Sequence, residues 1–520
     1  MKEIKILWVD DEIDLLKPHI LFLEEKGYHV STTTNGDDAI EKINNNSYDI
    51  IFLDEHMPGT SGIEALGIIK SIQPNIPVVM ITKSEEEDIM EEAIGSKIDD
   101  YLIKPVNPKQ ILSTIKKNTE FNKLISAKSI SAYQSQFQEL SGLIAQAKSW
   151  NGWVDIYKRI VYWELELSDN QEDGMHEVLQ MQKTEANNEF TKYITKNYNN
   201  WFNEDTAADR PLLSPNLFKE RIFPLVMNEE KVIMLLIDNF RYDHWKVIMP
   251  YINEYYSIEK EEIYSSILPT ATQYSRNSMF AGLMPLEISQ LYANLWLDDE
   301  EMGGKNLQEK ELLKKQIERS GHNIKFFYEK INHAKTGKKI LQNITDLFNY
   351  NLSVLIFNYI DMLSHSKTEM EVIKELANNE SAFRTLTLSW FKHSPLLALL
   401  KSLSDKKNIK VIITTDHGSI QVQNPIKVIG DRNTSVNLRY KTGKNLSYKK
   451  GQVFETEDPY KIHLPKRHVS SKYIFATNQN YLVYPNNYNY FVNYYKNTFQ
   501  HGGISMEEMM IPFVILNPKM

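Results

Sequence analysis

The stretch YDIIFLDEHMPG, residues 48–59, contains the pattern that decides the fold of the N-terminal part of the chain. Its apolar residues 50–53 lead directly into Asp54, and an MPG turn follows. Short apolar runs bounded by turn residues are typical of buried strands in a parallel sheet. Similar runs lie at 4–11, 28–34, 76–83 and 99–105, separated by helical patterns. Residues 1–118 are therefore predicted to form a doubly wound, five-stranded parallel α/β domain.

Polar residues end four of these runs. Asp10 and Asp11 follow the first, Asp54 the third, Thr82 the fourth and Lys104 the fifth. Ligands of open α/β sheets gather at the carboxyl edge, and a few carboxylates there are enough to hold magnesium. An aspartyl phosphate needs such a metal, a fixed cation and a hydroxyl. The aspartates supply ligands for the metal, Lys104 supplies the cation and Thr82 supplies the hydroxyl.

The ordered set resembles the receiver domain of CheY-type two-component response regulators. The resemblance implies that a sensor histidine kinase phosphorylates Asp54, and that magnesium is bound with help from the backbone of His56. At Lys83 the family usually has a small residue, which leaves the lifetime of the phosphoryl group open. The implied magnesium site comprises Asp10, Asp11, Asp54 and His56, and the implied switch comprises Thr82, Tyr101 and Lys104.

Composition limits the function. The 520 residues suggest two or three domains, and the formal net charge of −9 argues against general adhesion to DNA or anionic membranes. Because the chain has no cysteine, a metal must be held by His, carboxylate or hydroxyl groups. We find no signal peptide and no apolar stretch of about 18 residues, so we expect a cytoplasmic protein without membrane insertion.

Residues 119–205 lack strand runs and show helical spacing, which predicts a helical-bundle linker. Four tryptophans in this region, Trp150, Trp153, Trp163 and Trp201, are predicted to be core residues. Beyond it, apolar runs in 231–243, 351–362 and 408–418 again lead into acids. Residues 206–520 are therefore predicted to form a second domain, an α/β/α sandwich.

This second domain carries residues suited to two metal ions. Two cations about 4 Å apart can stabilise both the attacking and the leaving oxygen of a phosphate ester. Three aspartates and a Thr272 alkoxide would balance the charge of two divalent ions, and the histidines favour zinc over magnesium. Thr272, in LPTATQYSRN, is predicted to lie at a helix N-terminus, which favours an alkoxide. The complete set is Asp238, Thr272, Asp361, His365, Asp416, His417 and His501.

These residues, with IDNFRYD, LPTATQYSRN and QHGGISMEEMMIPF, resemble the PglZ branch of the alkaline phosphatase superfamily. A receiver joined to such a domain by a helical linker resembles the PorX-type response regulators, which implies a role in type IX secretion. The resemblance implies that Thr272 is the nucleophile, with Thr270 as the alternative. It places Asp361, His365 and His501 on one zinc, and Asp238, Asp416, His417 and Thr272 on the other.

Further residues are candidates for substrate binding. Asn239 contacts a phosphate oxygen or crowds the pocket, and Arg241 and Arg276 either contact phosphate or form structural ion pairs. Residues 425–472 hold eleven Lys and Arg against four acids, a basic segment that binds oligonucleotide phosphates or forms a solvated loop face. His468 is a weaker candidate within it.

Two functions are consistent with this sequence. The first is a zinc-dependent phosphodiesterase or phosphatase that acts on nucleotide-type diesters, including oligonucleotides, under control of Asp54 phosphorylation. The second is a catalytically silent binding module, in which the phosphorylated chain forms a homodimer and engages a sigma factor or another regulator.

Overall fold

The computed structural model describes residues 4–519, with the exception of 74–75, 83–97, 168–174, 203–209, 229, 300, 302, 370–374, 432–434, 450, 457 and 467. For residues 120–131 and 366–369 it describes the backbone and not the side chains. Lys83 lies outside the described residues. The chain divides into two compact units, Met1–Gln134 and Ser135–Met520. The sequence predicted three domains, 1–118, 119–205 and 206–520. In the structure, the linker from Ser135 onward belongs to the second unit.

The first unit contains the predicted five-stranded sheet. All neighbouring strands are parallel, and their order is β2-β1-β3-β4-β5. Alternate residues of β1 pack on opposite faces, with Leu7 in one hydrophobic cluster and Trp8 in the other, so both faces are covered. The strands are β1 Lys5–Val9, β2 His29–Thr33, β3 Ile50–Asp54, β4 Val78–Thr82 and β5 Asp100–Ile103, and the described helices are α1 Lys17–Glu25, α2 Gly36–Asn45, α3 Gly62–Ile72 and α4 Pro108–Ile115.

Long helices open the second unit. The four tryptophans predicted as core are all buried there, and Trp153 packs edge-on against Phe190 with 5.4 Å between ring centroids. Trp150, Trp153 and Trp201 share one hydrophobic cluster with the strands that follow, which explains why the linker is not a separate unit. The helices are α5 Phe121–Gln146, whose residues up to Gln134 belong to the first unit, α6 Trp150–Glu166, α7 Met175–Asn197 and the short α8 Phe223–Met227.

A six-stranded mixed sheet forms the centre of the second unit, in the order β7-β18-β10-β6-β9-β8. Strands β10, β6, β9 and β8 are parallel, whereas β18 runs antiparallel to both of its neighbours, β10 and β7. The carboxyl ends of β6, β7, β9 and β10 therefore lie at the edge where β18 begins. The strands are β6 Lys231–Ile237, β7 Tyr256–Ser265, β8 Phe326–Ile331, β9 Leu352–Phe357, β10 Ile409–Thr414 and β18 Met510–Pro518.

Helices and small sheets surround this central sheet. Strand β11 pairs with β17, β12 pairs with β16, and β15 lies between β13 and β14. The helices are α9 Tyr242–Ile252, α10 Thr272–Ala281, α11 Pro285–Leu291, α12 Glu309–Ser320, α13 Ala334–Gln342, α14 Tyr359–Glu369, α15 Glu380–His393, α16 Pro395–Ser404, α17 Tyr488–Tyr495 and α18 Met506–Met509. The small strands are β11 Ile420–Gln421, β12 Asn424–Lys427, β13 Tyr440–Gly443, β14 Val453–Thr456, β15 Lys472–Ala476, β16 Asn480–Val483 and β17 Phe499–Gln500. Within the described part of the chain, no helix combines the length and apolar character needed to cross a membrane.

Candidate functional site

The seven predicted zinc-binding residues lie at one edge of the central sheet. Asp238 follows β6 directly, and Asp416 and His417 lie just beyond the end of β10. His501 precedes β18, which begins at the same edge because it runs antiparallel. Asp361 differs from the prediction, because β9 ends at Phe357 and the carboxylate lies in the first turn of α14.

Asp361, His365 and His501 form one triad whose ligand atoms all lie within 4.8 Å of one another. Nε2 of His365 is 3.4 Å from Oδ2 of Asp361, and Nε2 of His501 is 3.5 Å from Oδ1. The four-residue spacing places Asp361 and His365 on one face of α14. Nδ1 of His501 lies 3.2 Å from the carbonyl oxygen of Thr270. A proton on that nitrogen satisfies the contact and leaves Nε2 free as a ligand atom.

Asp238, Asp416 and His417 form the second triad, with ligand atoms within the same 4.8 Å limit. Nε2 of His417 is 3.7 Å from Oδ1 of Asp238 and 3.6 Å from Oδ2 of Asp416. The imidazole rings of His417 and His501 stack with centroids 4.2 Å apart, which brings the two triads side by side. The hydroxyl of Thr415 donates to the carbonyl of His417 at 2.9 Å and fixes this strand end.

Thr272 lies beside the second triad. As predicted, it opens a helix, since α10 begins at this residue, and its Oγ1 is 3.0 Å from Nε2 of His417. The alternative nucleophile, Thr270, is fully buried. Its hydroxyl donates to the carbonyl of Gly503 at 2.9 Å and accepts from the amide of Gly502 at 3.0 Å. Thr270 therefore holds the loop that carries His501, which leaves Thr272 as the hydroxyl facing the triads.

Burial controls the electrostatics of the two triads. It raises the pKa of Asp238 well above its usual range, and the nearby Arg276 offsets only part of this effect. Burial also acts to raise the pKa of Asp361, but the hydrogen bond with His365 and the electrostatic effect of the neighbouring His501 imidazole bring it below its ordinary value. Burial and the neighbouring His417 lower the pKa of His501 to about 3. At neutral pH His501 is therefore a neutral imidazole with a free lone pair.

The donor atoms fit two divalent cations. Oδ1 of Asp238 and Oδ1 of Asp361 are buried and accept no hydrogen bond from the described residues. A buried carboxylate oxygen without a partner is costly, and a bound cation would remove that cost. Each triad combines carboxylate oxygen with imidazole nitrogen, which is the ligand chemistry of zinc.

Arg276, a predicted substrate-binding residue, is fully buried in ion pairs. Its guanidinium contacts Oδ2 of Asp238, and its Nε donates to Oδ2 of Asp416 at 3.0 Å. It also lies 3.7 Å from Glu309. The structure therefore favours the ion-pair alternative, in which Arg276 positions two predicted metal ligands rather than contacting phosphate.

Arg241 is also placed as a structural residue. Its guanidinium donates to Asp243 at 2.9 Å, pairs with Glu380 and lies 5.7 Å and 5.5 Å from the ring centroids of Phe383 and Phe499, which stack on each other. Because it is fully buried, the predicted phosphate contact is not supported.

The positions of Asn239 and His468 do not support direct contact with a phosphate at the two triads. Asn239 is fully buried, has a left-handed backbone (φ 61°), and donates to Ser364 at 3.3 Å. Ser364 in turn donates to the carbonyl of Asp361, so Asn239 ties the Asp238 loop to α14. His468 is half-buried, and no contact within the described residues joins it to either triad.

The loop around His501 shows features that the sequence analysis missed. Gly502 has φ 121°, and a Cβ there would meet the ring of Tyr440 at 2.7 Å. A Cβ on Gly503 would meet the carbonyl of Ala476, so these glycines allow the loop backbone to pack closely against its neighbours. Behind them, the buried Glu508 accepts from Arg439 and from the amide of Gly503. The two adjacent acids in the otherwise apolar MEEMM stretch were the sequence feature that could have predicted a buried acidic contact here.

The basic segment 425–472 is not one solvated face among its described residues. Arg439 is buried against Glu508, and Lys441 is buried as well. Lys466 pairs with Asp458 at 3.4 Å. Arg432, Lys450 and Arg467 lie outside the described residues. A continuous phosphate-binding track along this segment is therefore not supported.

The first unit brings its predicted acidic residues together as well. Asp10, Asp11 and Asp54 offer ligand oxygens within 4.8 Å of one another. Nζ of Lys104 lies 2.9 Å from Oδ2 of Asp10 and 2.9 Å from Oδ2 of Asp54. Burial raises the pKa of Asp54, and the hydrogen bond from Lys104 opposes this effect. The cluster has the hard oxygen donors that magnesium prefers.

Of the three predicted switch residues, Lys104 pairs with Asp54, whereas Thr82 and Tyr101 have other surroundings. The hydroxyl of Thr82 donates to Oε2 of Glu55 at 2.8 Å, a contact that the sequence analysis missed. Tyr101 is 41% exposed in this structure. The His56 side chain is 61% exposed, which is compatible with a role for its backbone alone.

Comparisons with known proteins match the chain in three consecutive parts. Residues 6–116 match the response regulator receiver domain, 123–202 the PorX response regulator linker domain, and 217–516 the BREX system PglZ alkaline phosphatase-like domain.

Individual relatives match the receiver region. The chain is 37% identical over 114 residues to the transcriptional regulatory protein ResD of Bacillus subtilis (strain 168), a match that covers 22% of this chain and 47% of that protein. It is 34% identical over 114 residues to the phosphate regulon transcriptional regulatory protein PhoB of Escherichia coli (strain K12), a match that covers 22% of this chain and 50% of that protein. The chain thus spans about half the length of the curated relatives it matches. A solved two-component response regulator from Clostridium difficile is 34% identical and covers 22% of this chain and 94% of its own, with a TM-score of 0.22.

The receiver and linker matches precede the PglZ match in the order that the sequence pattern predicted. The PglZ match alone spans more than half of the 520 residues, so the chain belongs to the family of the BREX system PglZ alkaline phosphatase-like domain, here joined to a response regulator receiver domain through a PorX-type linker.

Proposed function

We propose that this protein is a two-component response regulator whose output is a zinc-dependent phosphodiesterase or phosphatase acting on nucleotide-type diesters. The observation that carries the proposal is the arrangement of two ligand triads, joined by stacked imidazoles, beside the hydroxyl of Thr272. The PglZ match supports a hydrolase of the alkaline phosphatase type. The PorX-type linker match supports the further proposal of a role in type IX secretion.

Asp361, His365 and His501 would hold one zinc, and Asp238, Asp416, His417 and Thr272 the other. When bound, the two ions would supply positive charge that lowers the pKa of the hydroxyl and stabilises the phosphoryl oxygens. Arg276 keeps Asp238 and Asp416 in place through its ion pairs.

Thr272 is the proposed nucleophile. The hydroxyl releases its proton to solvent, Oγ1 forms a bond to phosphorus while the bond from phosphorus to the leaving ester oxygen breaks, and that leaving oxygen takes a proton from solvent. A water molecule then attacks phosphorus, and the bond to Oγ1 breaks to regenerate the hydroxyl. The position of Thr272 at the start of α10 assists, because free backbone amides and the helix dipole there favour negative charge.

The proposed control lies in the receiver. A sensor kinase would transfer a phosphoryl group to Asp54, whose carboxylate lies beside Lys104 and the other two acids. The added charge would engage Lys104 and give the hydroxyl of Thr82 a competitor for its bond with Glu55. Binding of a sigma factor and dimerisation of the phosphorylated chain remain secondary proposals for what this change produces.

The nucleophile is tested with Thr272→Ala and Thr272→Ser. With zinc loaded, the alanine variant should lose at least about a thousandfold in turnover of bis(p-nitrophenyl) phosphate, whereas the serine variant, which keeps a hydroxyl, should retain measurable turnover. Thr385→Ala, at an exposed helical position, is the matched control and should behave as wild type. Unchanged turnover in Thr272→Ala would rule out the assignment. A zinc-loaded wild type without turnover would favour the binding-module function instead.

The receiver is tested with acetyl phosphate as phosphodonor. Wild type should incorporate phosphate and show altered diesterase turnover, whereas Asp54→Asn should do neither. Asp14→Asn, which removes an exposed carboxylate in the same unit, should respond like wild type. Phosphate incorporation in Asp54→Asn would contradict the assignment of the acceptor.

A further inference from the structure

Lys441 is a buried cation that forms no ion pair with any residue described by the structure. It lies in β13, its side chain is 1% exposed, and no carboxylate of the described residues lies within ion-pair distance. Its one close electrostatic contact is with the ring of Tyr484, whose centroid is 4.2 Å from Nζ. An ammonium group buried in this way is costly, so the position calls for an explanation.

The lysine lines a cavity of about 460 Å³, within the range of about 300–1,000 Å³ that small-molecule sites occupy. Most of its wall is apolar, including Leu482 and Phe491. Phe491 and Tyr495 stack one turn apart on α17, with ring centroids 5.9 Å apart. The cavity thus combines an apolar wall, two aromatic faces and one cation.

This cavity is separate from the two triads. Along β13 the side chains alternate, so Tyr440 and Lys441 point to opposite faces. Tyr440 donates to Asp299 and packs against Gly502, on the side of the His501 loop. Lys441 therefore faces away from that loop.

We propose that this cavity binds a small carboxylate with an aromatic or aliphatic body, whose single negative charge pairs with Lys441. Among the described residues lining the cavity, Lys441 is the one cation and Asp431 the one acid. A monoanion neutralises this cation, whereas a phosphate dianion would leave a second negative charge near apolar walls and Asp431. The apolar wall selects the body of the ligand by burying it.

Charge at Lys441 gives the proposal a second signature. Burial lowers the pKa of Lys441 to about 7, and the other titratable groups among the described lining residues are Asp431, Tyr484 and Tyr495. A carboxylate that binds the protonated amine must take up a proton when the solution is more alkaline than that value. Its affinity should therefore fall by about tenfold for each pH unit above about 7.

The experiment is isothermal titration calorimetry of the full-length, zinc-loaded protein with 4-phenylbutyrate and octanoate. At least one carboxylate should bind with proton uptake at about pH 8, and its neutral amide and inorganic phosphate should bind at least about tenfold more weakly. Lys441→Met should abolish this binding, while Lys449→Met, at an exposed position nearby, should leave it unchanged. A carboxylate captured by the zinc site would still bind Lys441→Met and would overturn the proposal. Absence of binding by both carboxylates, or equal binding of acid and amide, would also overturn it.

Discussion

At the residue scale, the case for two cations depends on individual oxygen atoms. Asp361 offers a buried Oδ1 that accepts no hydrogen bond from the described residues, together with an Oδ2 that lies 3.4 Å from His365. Asp238 has the same character, because Arg276 pairs with its Oδ2 while its Oδ1 accepts no hydrogen bond within the described part of the chain. Each triad thus has one carboxylate oxygen that is available to bind a cation. A substitution in one triad should therefore remove the cation from that triad alone.

Asp361→Asn should reduce the bound zinc from two ions per chain to one. The amide keeps the size of the side chain but removes the negative charge that the first triad needs, while Asp238, Asp416 and His417 remain intact. Elemental analysis after dialysis measures the stoichiometry. Asp405→Asn, at an exposed position, should keep both ions. Two tightly held ions in Asp361→Asn would contradict the assignment of this triad.

Lys441→Met should stabilise the protein, and the gain should depend on pH. Burial lowers the pKa of Lys441 from 10.5 to about 7, so between those values the unfolded chain carries a proton that the folded chain lacks. Stability of wild type therefore rises with pH across this window, and the full cost of the buried ammonium is present below it. That cost is roughly 5 kcal/mol at about 1.4 kcal/mol per pKa unit.

Urea unfolding at about pH 6 and about pH 9.5 checks this prediction. The advantage of Lys441→Met over wild type should be large at the lower pH and shrink at the higher one. The exposed Lys449→Met should show no such pH-dependent difference. A Lys441→Met variant less stable than wild type at the lower pH would mean that the ammonium has a partner in the folded protein.

At the element scale, the strand ends were predictable from the sequence and the supporting contacts were not. Apolar runs leading into Asp54, Asp238 and Asp416 reveal both a buried strand and a polar residue at its end. The sequence also predicts that these strand-end residues lie near one another, because the carboxyl ends of parallel strands meet at one edge of a sheet. By contrast, Arg276 meets Asp416 across 140 positions and Glu507 meets Asn187 across 320. Tertiary pairings at such separations leave no local pattern, so the ion-pair roles stayed open or unseen.

Lys183 is the central contact between helices α6 and α7 and the segment that leads into β18. Its Nζ lies 2.9 Å from Glu164 of α6 and 2.8 Å from Glu507 of α18, and all three side chains are buried. Asn187, one turn along α7, accepts from the amide of Met506 at 2.8 Å. Two acids thus share one buried cation, and removing it leaves both without an ion-pair partner among the described residues.

Lys183→Met should destabilise the second unit by about 3–5 kcal/mol, because uncompensated buried carboxylates are strongly unfavourable. The midpoint of urea unfolding measures the loss. Lys192→Met, which breaks an exposed pair with Glu189 on the same helix, should leave the midpoint nearly unchanged. Adding Glu164→Gln and Glu507→Gln to Lys183→Met should recover part of the stability. If these additions bring no recovery, the loss stems from packing rather than charge.

At the scale of the whole molecule, the boundary between linker and output domain is where sequence and structure differ most. A change from helical to strand patterning suggested a boundary near residue 206. The helices before it nevertheless share a hydrophobic cluster with the central sheet. Contacts also reach the segment that leads to Thr272, because the hydroxyl of Tyr198 accepts from the amide of Leu268 at 2.8 Å. Patterning marks a change of secondary structure, whereas a domain boundary depends on which surfaces pack together.

Two truncated chains test whether the helices before residue 206 are a separable linker or a part of the output domain. A fragment of residues 135–520 should fold, bind zinc and hydrolyse bis(p-nitrophenyl) phosphate, but should not respond to acetyl phosphate. A fragment of residues 206–520 lacks Tyr198 and Lys183, exposes the apolar surface that covers the sheet and leaves Glu507 without its cation. It should aggregate or unfold at a much lower urea concentration and lose zinc. If it instead matched the longer fragment in unfolding midpoint and turnover, the helices would be a separable linker, and any signal from the receiver would have to reach Thr272 without them.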